Sequence, residues 1–111
     1  MLRLYNSLTR EKEVFRPLRK NKVSIYVCGI TPYDITHLGH AFTYIFFDVL
    51  VRYLAFSGYK VNYTQNVTDI DDDILKKAKK EKTDFRKLGD FWTKRYLLDM
   101  ESLESQSLIT L

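Results

Sequence analysis

The chain has 111 residues, 45% hydrophobic and 29% charged, with Gly 4 and Pro 2; one layered core is expected, and a large multidomain enzyme or a low-complexity linker is excluded. Eighteen Lys and Arg against fourteen Asp and Glu leave a net charge of +4, which suits a phosphate-bearing partner and equally a solvated basic surface. The single cysteine excludes an intramolecular disulfide and points to the cytoplasm, while the longest apolar stretch, residues 45–56, is interrupted by Asp48 and Arg52 and is too short for a bilayer span.

In chain order, residues 1–8 alternate enough for a short strand, and 9–19 read as a charged connection in which Pro17 opposes a continuous helix. Residues 22–28 set Val23, Ile25 and Val27 against Ser24, Tyr26 and Cys28, a buried strand that stops at Gly29. Residues 29–39 have the vocabulary of a turn entering a helix, with Asp34 or Thr36 able to cap it. Residues 40–56 contain neither Pro nor Gly and are apolar nearly all round, which predicts a helix packed on more than one side and ended by Ser57 and Gly58. Strand chemistry returns over 59–67, with Tyr59, Val61, Tyr63, Gln65 and Val67 on one face. Strand, helix and strand of these lengths predict a right-handed βαβ crossover with parallel strands.

Asp69, Asp71, Asp72 and Asp73 then suit a helix start, continuing through Ile74, Leu75 and Ala78, with Lys76, Lys77, Lys79 and Lys80 toward the opposite end of the dipole. Residues 85–103 predict a last amphipathic helix offering Leu88, Phe91, Trp92, Tyr96 and Leu103 for packing.

Three segments converge on the carboxyl end of this sheet, where parallel α/β sheets bind their ligands. Cys28-Gly29-Ile30-Thr31-Pro32-Tyr33-Asp34 follows the first strand of the crossover; its thiol faces the expected cleft, or serves as a small buried hydrophobe. His37-Leu38-Gly39-His40 opens the helix. There Gly39 permits close approach, unpaired N–H groups point outward, and two imidazoles can donate to phosphate oxygens; the alternative is a polar helix cap. Asn66 and Thr68 sit at the end of the second strand, in ligand-contact positions, whereas Asp71 to Asp73 read as an acidic helix start. A Ca²⁺ loop is discounted because the glycine and terminal glutamate of an EF-hand are missing.

Residues 1–10, Tyr26-Val-Cys-Gly-Ile-Thr-Pro-Tyr-Asp34, His37-Leu-Gly-His40, Phe47-Asp48, Arg52-Tyr-Leu54, Gly58-Tyr59 and Asn66-Val-Thr-Asp-Ile-Asp-Asp72 together resemble the N-terminal part of the cysteinyl-tRNA synthetase family. The match is collinear from residue 1 to about 103, and the tail 104–111 departs from the pattern. Pro32, residues 36–41 and 65–68 are also similar to the ligase that joins cysteine to an amino-sugar inositol in mycothiol synthesis. The resemblance implies an α/β fold: the first half of a class I synthetase catalytic domain, a partial Rossmann-type, HUP-like parallel sheet with flanking helices. It implies ATP-dependent activation of cysteine to cysteinyl-adenylate, with transfer to tRNA in the complete family.

The same resemblance implies Cys28 as a zinc ligand and His37 and His40 as catalytic residues of the HIGH signature, contacting ATP phosphates. It places Gly29, Ile30, Thr31, His37, Gly39, His40, Thr43, Asn66, Val67 and Thr68 around ATP and the adenylate. Zinc suits selection of cysteine, because it binds thiolate strongly and a serine hydroxyl poorly. Many family members carry a basic residue where this chain has Phe42. The other zinc ligands, the KMSKS loop and the tRNA-binding helical domain lie downstream in the family. The expectation is therefore a truncated cytoplasmic polypeptide, inactive alone, with ATP and cysteine as ligands, tRNA only when the missing part is supplied, and no membrane contact. Its alternatives are a catalytically silent nucleotide-binding or interaction module, and a fragment of the ligase that joins cysteine to an amino-sugar inositol; self-association through an exposed sheet edge is a further expectation.

Overall fold

The structure, a computed structural model, describes residues 1–105; the predicted tail 104–111 lies mostly outside them. β1 (Arg3–Asn6) and β2 (Glu11–Val14) form an antiparallel hairpin, Arg3 opposite Val14 and Asn6 opposite Glu11. The predicted connection over residues 9–19 is thus corrected: it contains the strand β2. No glycine marks the turn. Instead Arg10 takes the left-handed φ of 60°, its N–H donates to the Asn6 carbonyl at 2.7 Å, and the Asn6 side chain accepts from the Leu8 N–H at 3.0 Å.

β3 (Lys22–Val27) and β4 (Lys60–Gln65) pair in parallel, with Val23 opposite Val61 and Val27 opposite Gln65, and α1 (Leu38–Phe56) connects them. β3 is buried on one face only. Val23 and Val27 are inside, while Ser24 and Tyr26 are exposed, because only one side of the sheet is covered. β4 alternates as predicted, with Tyr63 and Gln65 buried and Lys60 and Asn62 outside.

α2 (Asp72–Glu81) starts at Asp71, whose carboxylate accepts from the Asp73 N–H at 2.7 Å, and ends where Lys82 turns left-handed at φ 52°. α3 (Phe85–Ser102) is capped by Asp84, which accepts from the N–H groups of Arg86 and Lys87. Ile74 and Ala78 of α2 and Leu88, Tyr96 and Met100 of α3 are buried. Phe91 and Leu103 remain 61% and 49% exposed, so they do not supply the predicted packing. Met100, one turn after Tyr96, takes that place.

The core joins Val27, Ile30, Tyr44, Val51, Tyr63, Tyr96 and Met100. Its one buried polar side chain among the described residues, Gln65, is 2% exposed. It accepts from the Tyr63 hydroxyl at 3.0 Å and donates to the Tyr96 oxygen at 2.9 Å. Burial pushes the phenols of Tyr44, Tyr63 and Tyr96 up, that of Tyr63 to about 12, so all three stay neutral hydroxyls at physiological pH. The Tyr96 ring meets Tyr44 edge-on, with centroids 5.5 Å apart. α3 is therefore tied through one polar network to β4 and through one aromatic pair to α1.

α1 departs from its sequence prediction. Tyr44, Val51 and Leu54 face the core, but the opposite stripe is open to solvent, so the helix packs on one side and not on more than one. The radius of gyration, 16.6 Å, exceeds the roughly 13 Å expected of a compact chain of this length.

Candidate functional site

The carboxyl ends of β3 and β4 are joined beyond their last paired residues. The Gly29 N–H donates to the Asn66 side-chain oxygen at 2.7 Å, and the Thr68 N–H donates to the Ile30 carbonyl at 3.0 Å. A Cβ on Gly29 would lie 1.5 Å from the Asn66 carbonyl oxygen. Only glycine lets the two backbones come this close. The loop after β3 is thereby held against the loop after β4, and its outer side faces the start of α1.

That start is built by the two histidines. His37 occupies the N-cap with extended backbone, φ −100° and ψ 171°. Its Nδ1 accepts from the Gly39 N–H at 3.0 Å, and His40 Nδ1 accepts from the His37 N–H at 3.4 Å. This reciprocal capping box replaces the predicted caps Asp34 and Thr36. Asp34 is drawn elsewhere: it accepts from its neighbour Ile35 N–H at 2.8 Å and pairs with Lys77 Nζ at 2.9 Å. The hydrogen bond from Lys77 holds the Asp34 carboxyl below its ordinary range, and Asp34 in turn pushes the Lys77 ammonium up.

The capping geometry decides the chemistry of both rings. A nitrogen that accepts carries the lone pair, so in each neutral imidazole the proton sits on Nε2. The rings stack with centroids 3.9 Å apart and planes 24° apart. Burial, and then the charge of His37, push His40 below its ordinary value. The expectation that helix N–H groups point outward is corrected in part: the Gly39 N–H is taken by His37 Nδ1 and the His40 N–H by the His37 carbonyl. The two Nε2–H groups remain as side-chain donors to an anion at this point.

A cavity of about 530 Å³ lies between the loop and the helix start, lined by Gly29, Ile30, Thr31, Tyr33, Asp34, Ile35, His37, His40 and Asp73. Five of the predicted site residues line it: Gly29, Ile30, Thr31, His37 and His40. Gly39 sits inside the helix start, and a Cβ there would press to 2.8 Å from His37 Cε1. The Thr43 hydroxyl donates to the Gly39 carbonyl at 3.1 Å and so turns back along its own helix. Asn66 and Thr68 act from behind, as clamps on the loop, with Val67 half-buried between them. Sequence reasoning missed Tyr33, Asp34, Ile35 and Asp73 as lining residues. Tyr33 and Ile35 carried a signal in their turn positions beside Asp34; Asp73 carried none, because the return of α2 to this cavity is tertiary.

A larger cavity, about 690 Å³, is lined by Phe15, Arg19, Lys22, Val23, Lys60 and others at the amino end of the sheet. None of the predicted site residues borders it, and backbone loops of a parallel sheet place ligand contacts at the other end.

Cys28 lies exposed at the end of β3, with its carbonyl accepting from the Tyr44 hydroxyl at 3.4 Å. Among the described residues no group of three or more His, Cys, Asp or Glu side chains could hold a metal ion. One thiolate does not make a zinc site, which takes at least three protein ligands. The described residues therefore do not fit zinc by themselves.

The family model for the class I tRNA synthetase (C) catalytic domain matches residues 14–110. The chain belongs to that family. It is 47% identical over 103 residues to a cysteine–tRNA ligase of Wigglesworthia glossinidia brevipalpis, covering 93% of this chain and 22% of that protein. A cysteine–tRNA ligase of Shewanella sediminis is 58% identical over 82 residues, 74% of this chain and 18% of that protein. One of Histophilus somni is 46% identical over 103 residues, again 93% and 22%. The chain thus spans about a fifth of the length of these curated relatives. Its mixed α/β architecture, with a small parallel sheet and flanking helices, is that of a partial Rossmann-like synthetase domain. Among the described residues no helix is long and apolar enough to cross a membrane.

Proposed function

We propose that this chain corresponds to the N-terminal half of a cysteine-activating catalytic domain, residues 1–103 with a divergent tail. In the complete protein it binds ATP and cysteine, forms cysteinyl-adenylate, and passes the cysteinyl group to tRNA in the cytoplasm. The observation that carries the reading is the convergence of the Gly29–Thr31 loop and the His37–His40 helix start on one cavity.

In the reaction, a carboxylate oxygen of cysteine attacks the α-phosphorus of ATP. An acyl–phosphate anhydride bond forms, and pyrophosphate leaves with the bridging oxygen. No covalent bond to the protein is needed; orientation and charge stabilisation suffice. His37 and His40 donate Nε2–H to phosphate oxygens as charge shifts toward the leaving group. Gly29, Ile30 and Thr31 offer backbone and hydroxyl groups to the adenylate. Gly39 and Thr43 preserve the helix start, and Asn66, Val67 and Thr68 hold the loop at its working distance. Cys28 stands as one thiolate of a zinc site whose other ligands come from outside the described residues. Relatives named cysteine–tRNA ligase favour tRNA over an amino-sugar inositol as acceptor.

Cysteine-dependent exchange between ATP and pyrophosphate tests this, measured on the chain alone and with the remaining part of a relative added in trans. The expected result is exchange only with the added part; no exchange in either setting overturns the catalytic reading. A second reading is favoured by the outer edges of the two-stranded β3–β4 sheet, unpaired among the described residues: a catalytically silent module that binds nucleotide or associates through those edges. Saturable ATP binding without exchange in either setting would mark it.

A further inference from the structure

The cavity at the start of α1 carries the wrong fixed charge for a site that receives phosphate. Among the described residues no Lys or Arg lines it, and two carboxylates do, Asp34 and Asp73. Its side-chain donors are the Nε2–H groups of His37 and His40, and Asp34 stands on the same wall, three residues before His37. A free carboxylate there would oppose an anion twice. It would repel the ligand, and its oxygens would accept the imidazole N–H groups themselves.

Both oxygens of Asp34 are engaged elsewhere. Oδ1 accepts from the Ile35 N–H at 2.8 Å, and Oδ2 pairs with Lys77 Nζ at 2.9 Å. Packing sets the place of that lysine. Ile74 and Ala78, 0% and 5% exposed, bury one stripe of α2, which leaves Asp73 and Lys77, one turn apart, in line on the stripe beside it. Asp73 reaches the cavity and Lys77 reaches Asp34. A second contact, to Glu81 at 3.4 Å, anchors the ammonium to its own helix.

We propose that Lys77 is a positioning residue of this site: by holding Asp34 away from the imidazoles, it keeps their Nε2–H groups free for an anionic ligand. Lys77 does not itself line the cavity, so its influence passes through Asp34. The proposal rests on the reading of the cavity as an ATP site and adds to it a residue that touches no ligand.

Lys77→Met and Asp34→Asn, made singly and together, separate this role from that of an ordinary surface ion pair. Calorimetric titration of the full chain with ATP, at an ionic strength that screens long-range charge, should show affinity lowered about fivefold in Lys77→Met. In the Asp34→Asn background the same substitution should cost less than about twofold. Lys77→Arg should keep the parent affinity. Without ATP, the Nε2 nitrogen resonances of His37 and His40 should move in Lys77→Met, as the released carboxylate accepts their protons, and return in the double variant. Melting temperature should change little throughout, because the pair is exposed. Equal loss of affinity in both backgrounds would leave only the long-range charge of the lysine and overturns the proposal. Unchanged imidazole resonances in Lys77→Met overturn it as well. A parent chain that binds no ATP, with the resonances moving as expected, overturns the nucleotide reading of the cavity and supports the control of its donors by Lys77.

Discussion

Gly29 and Asn66, thirty-seven positions apart in the chain, are joined by a 2.7 Å hydrogen bond from the glycine N–H to the asparagine side chain. They meet because β3 and β4 run parallel and end at the same level. The absence of a side chain on Gly29 is as important as the amide on Asn66, since a methyl group there would overlap the Asn66 carbonyl.

Gly29→Ala should therefore force the two loops apart and destabilise the fold by about 2 kcal/mol or more. Asn66→Ala, which removes the acceptor but creates no clash, should have the smaller effect, about 1 kcal/mol. Urea unfolding of both variants checks the order. Equal effects would mean that steric approach is not the controlling feature.

The cap and the proposed phosphate donor can be separated at His37. Asparagine is a good N-cap but lacks the Nε2 donor. His37→Asn should leave helix content and melting temperature nearly unchanged while weakening ATP binding about tenfold. Calorimetric titration with ATP, alongside thermal unfolding, reads both effects. Loss of stability with unchanged binding would contradict the donor role.

Acid should loosen the helix start. His40 is held below its ordinary value of 6.5 by burial and by His37, so the unfolded chain takes up its proton first. Its contribution is whole above the unfolded value and is lost as pH falls through the lower folded value. Protonation places hydrogen on Nδ1 and removes its acceptance from the His37 N–H. Melting temperature should fall on acidification below the unfolded value, with a smaller slope in His40→Gln. Identical slopes would assign the acid sensitivity to other groups.

Tyr96→Phe should cost about 1–3 kcal/mol, because it strips the acceptor from a buried amide. Gln65 is 2% exposed and donates to Tyr96 at 2.9 Å, leaving no water to take over. For a domain of this size a loss of 1 kcal/mol corresponds to roughly 4–8 °C in melting temperature. A change well below that range would show that the amide finds another partner.

Lys77 reaches from α2 to Asp34 at the cavity wall. In Lys77→Met the Asp34 carboxyl should titrate at a higher pH than in the parent chain, since the hydrogen bond that lowers it is gone. Carbon-detected NMR titration of Asp34 reads this directly. Because the pair is exposed, the change in overall stability should be small and salt-dependent.

The local elements were legible wherever pattern and chemistry agreed. β-branched alternation marked β3 and β4, and aspartates marked the start of α2. The hairpin of β1 and β2 was hidden because Arg10 holds the left-handed turn position more often given to glycine or asparagine. The histidine cap of α1 was one of two readings that the sequence left open, beside a phosphate contact, because an imidazole can serve either; its ring satisfies the backbone first. What the sequence by itself determined was the βαβ order, the family, and the three segments carrying site chemistry, since propensity, periodicity and motif spacing are local. Only the tertiary structure decided that Asn66 clamps Gly29, that Asp73 reaches the cavity, and that one apolar face of α1 is left uncovered. Those outcomes depend on which distant groups come within hydrogen-bond or van der Waals reach, and no local pattern encodes that distance.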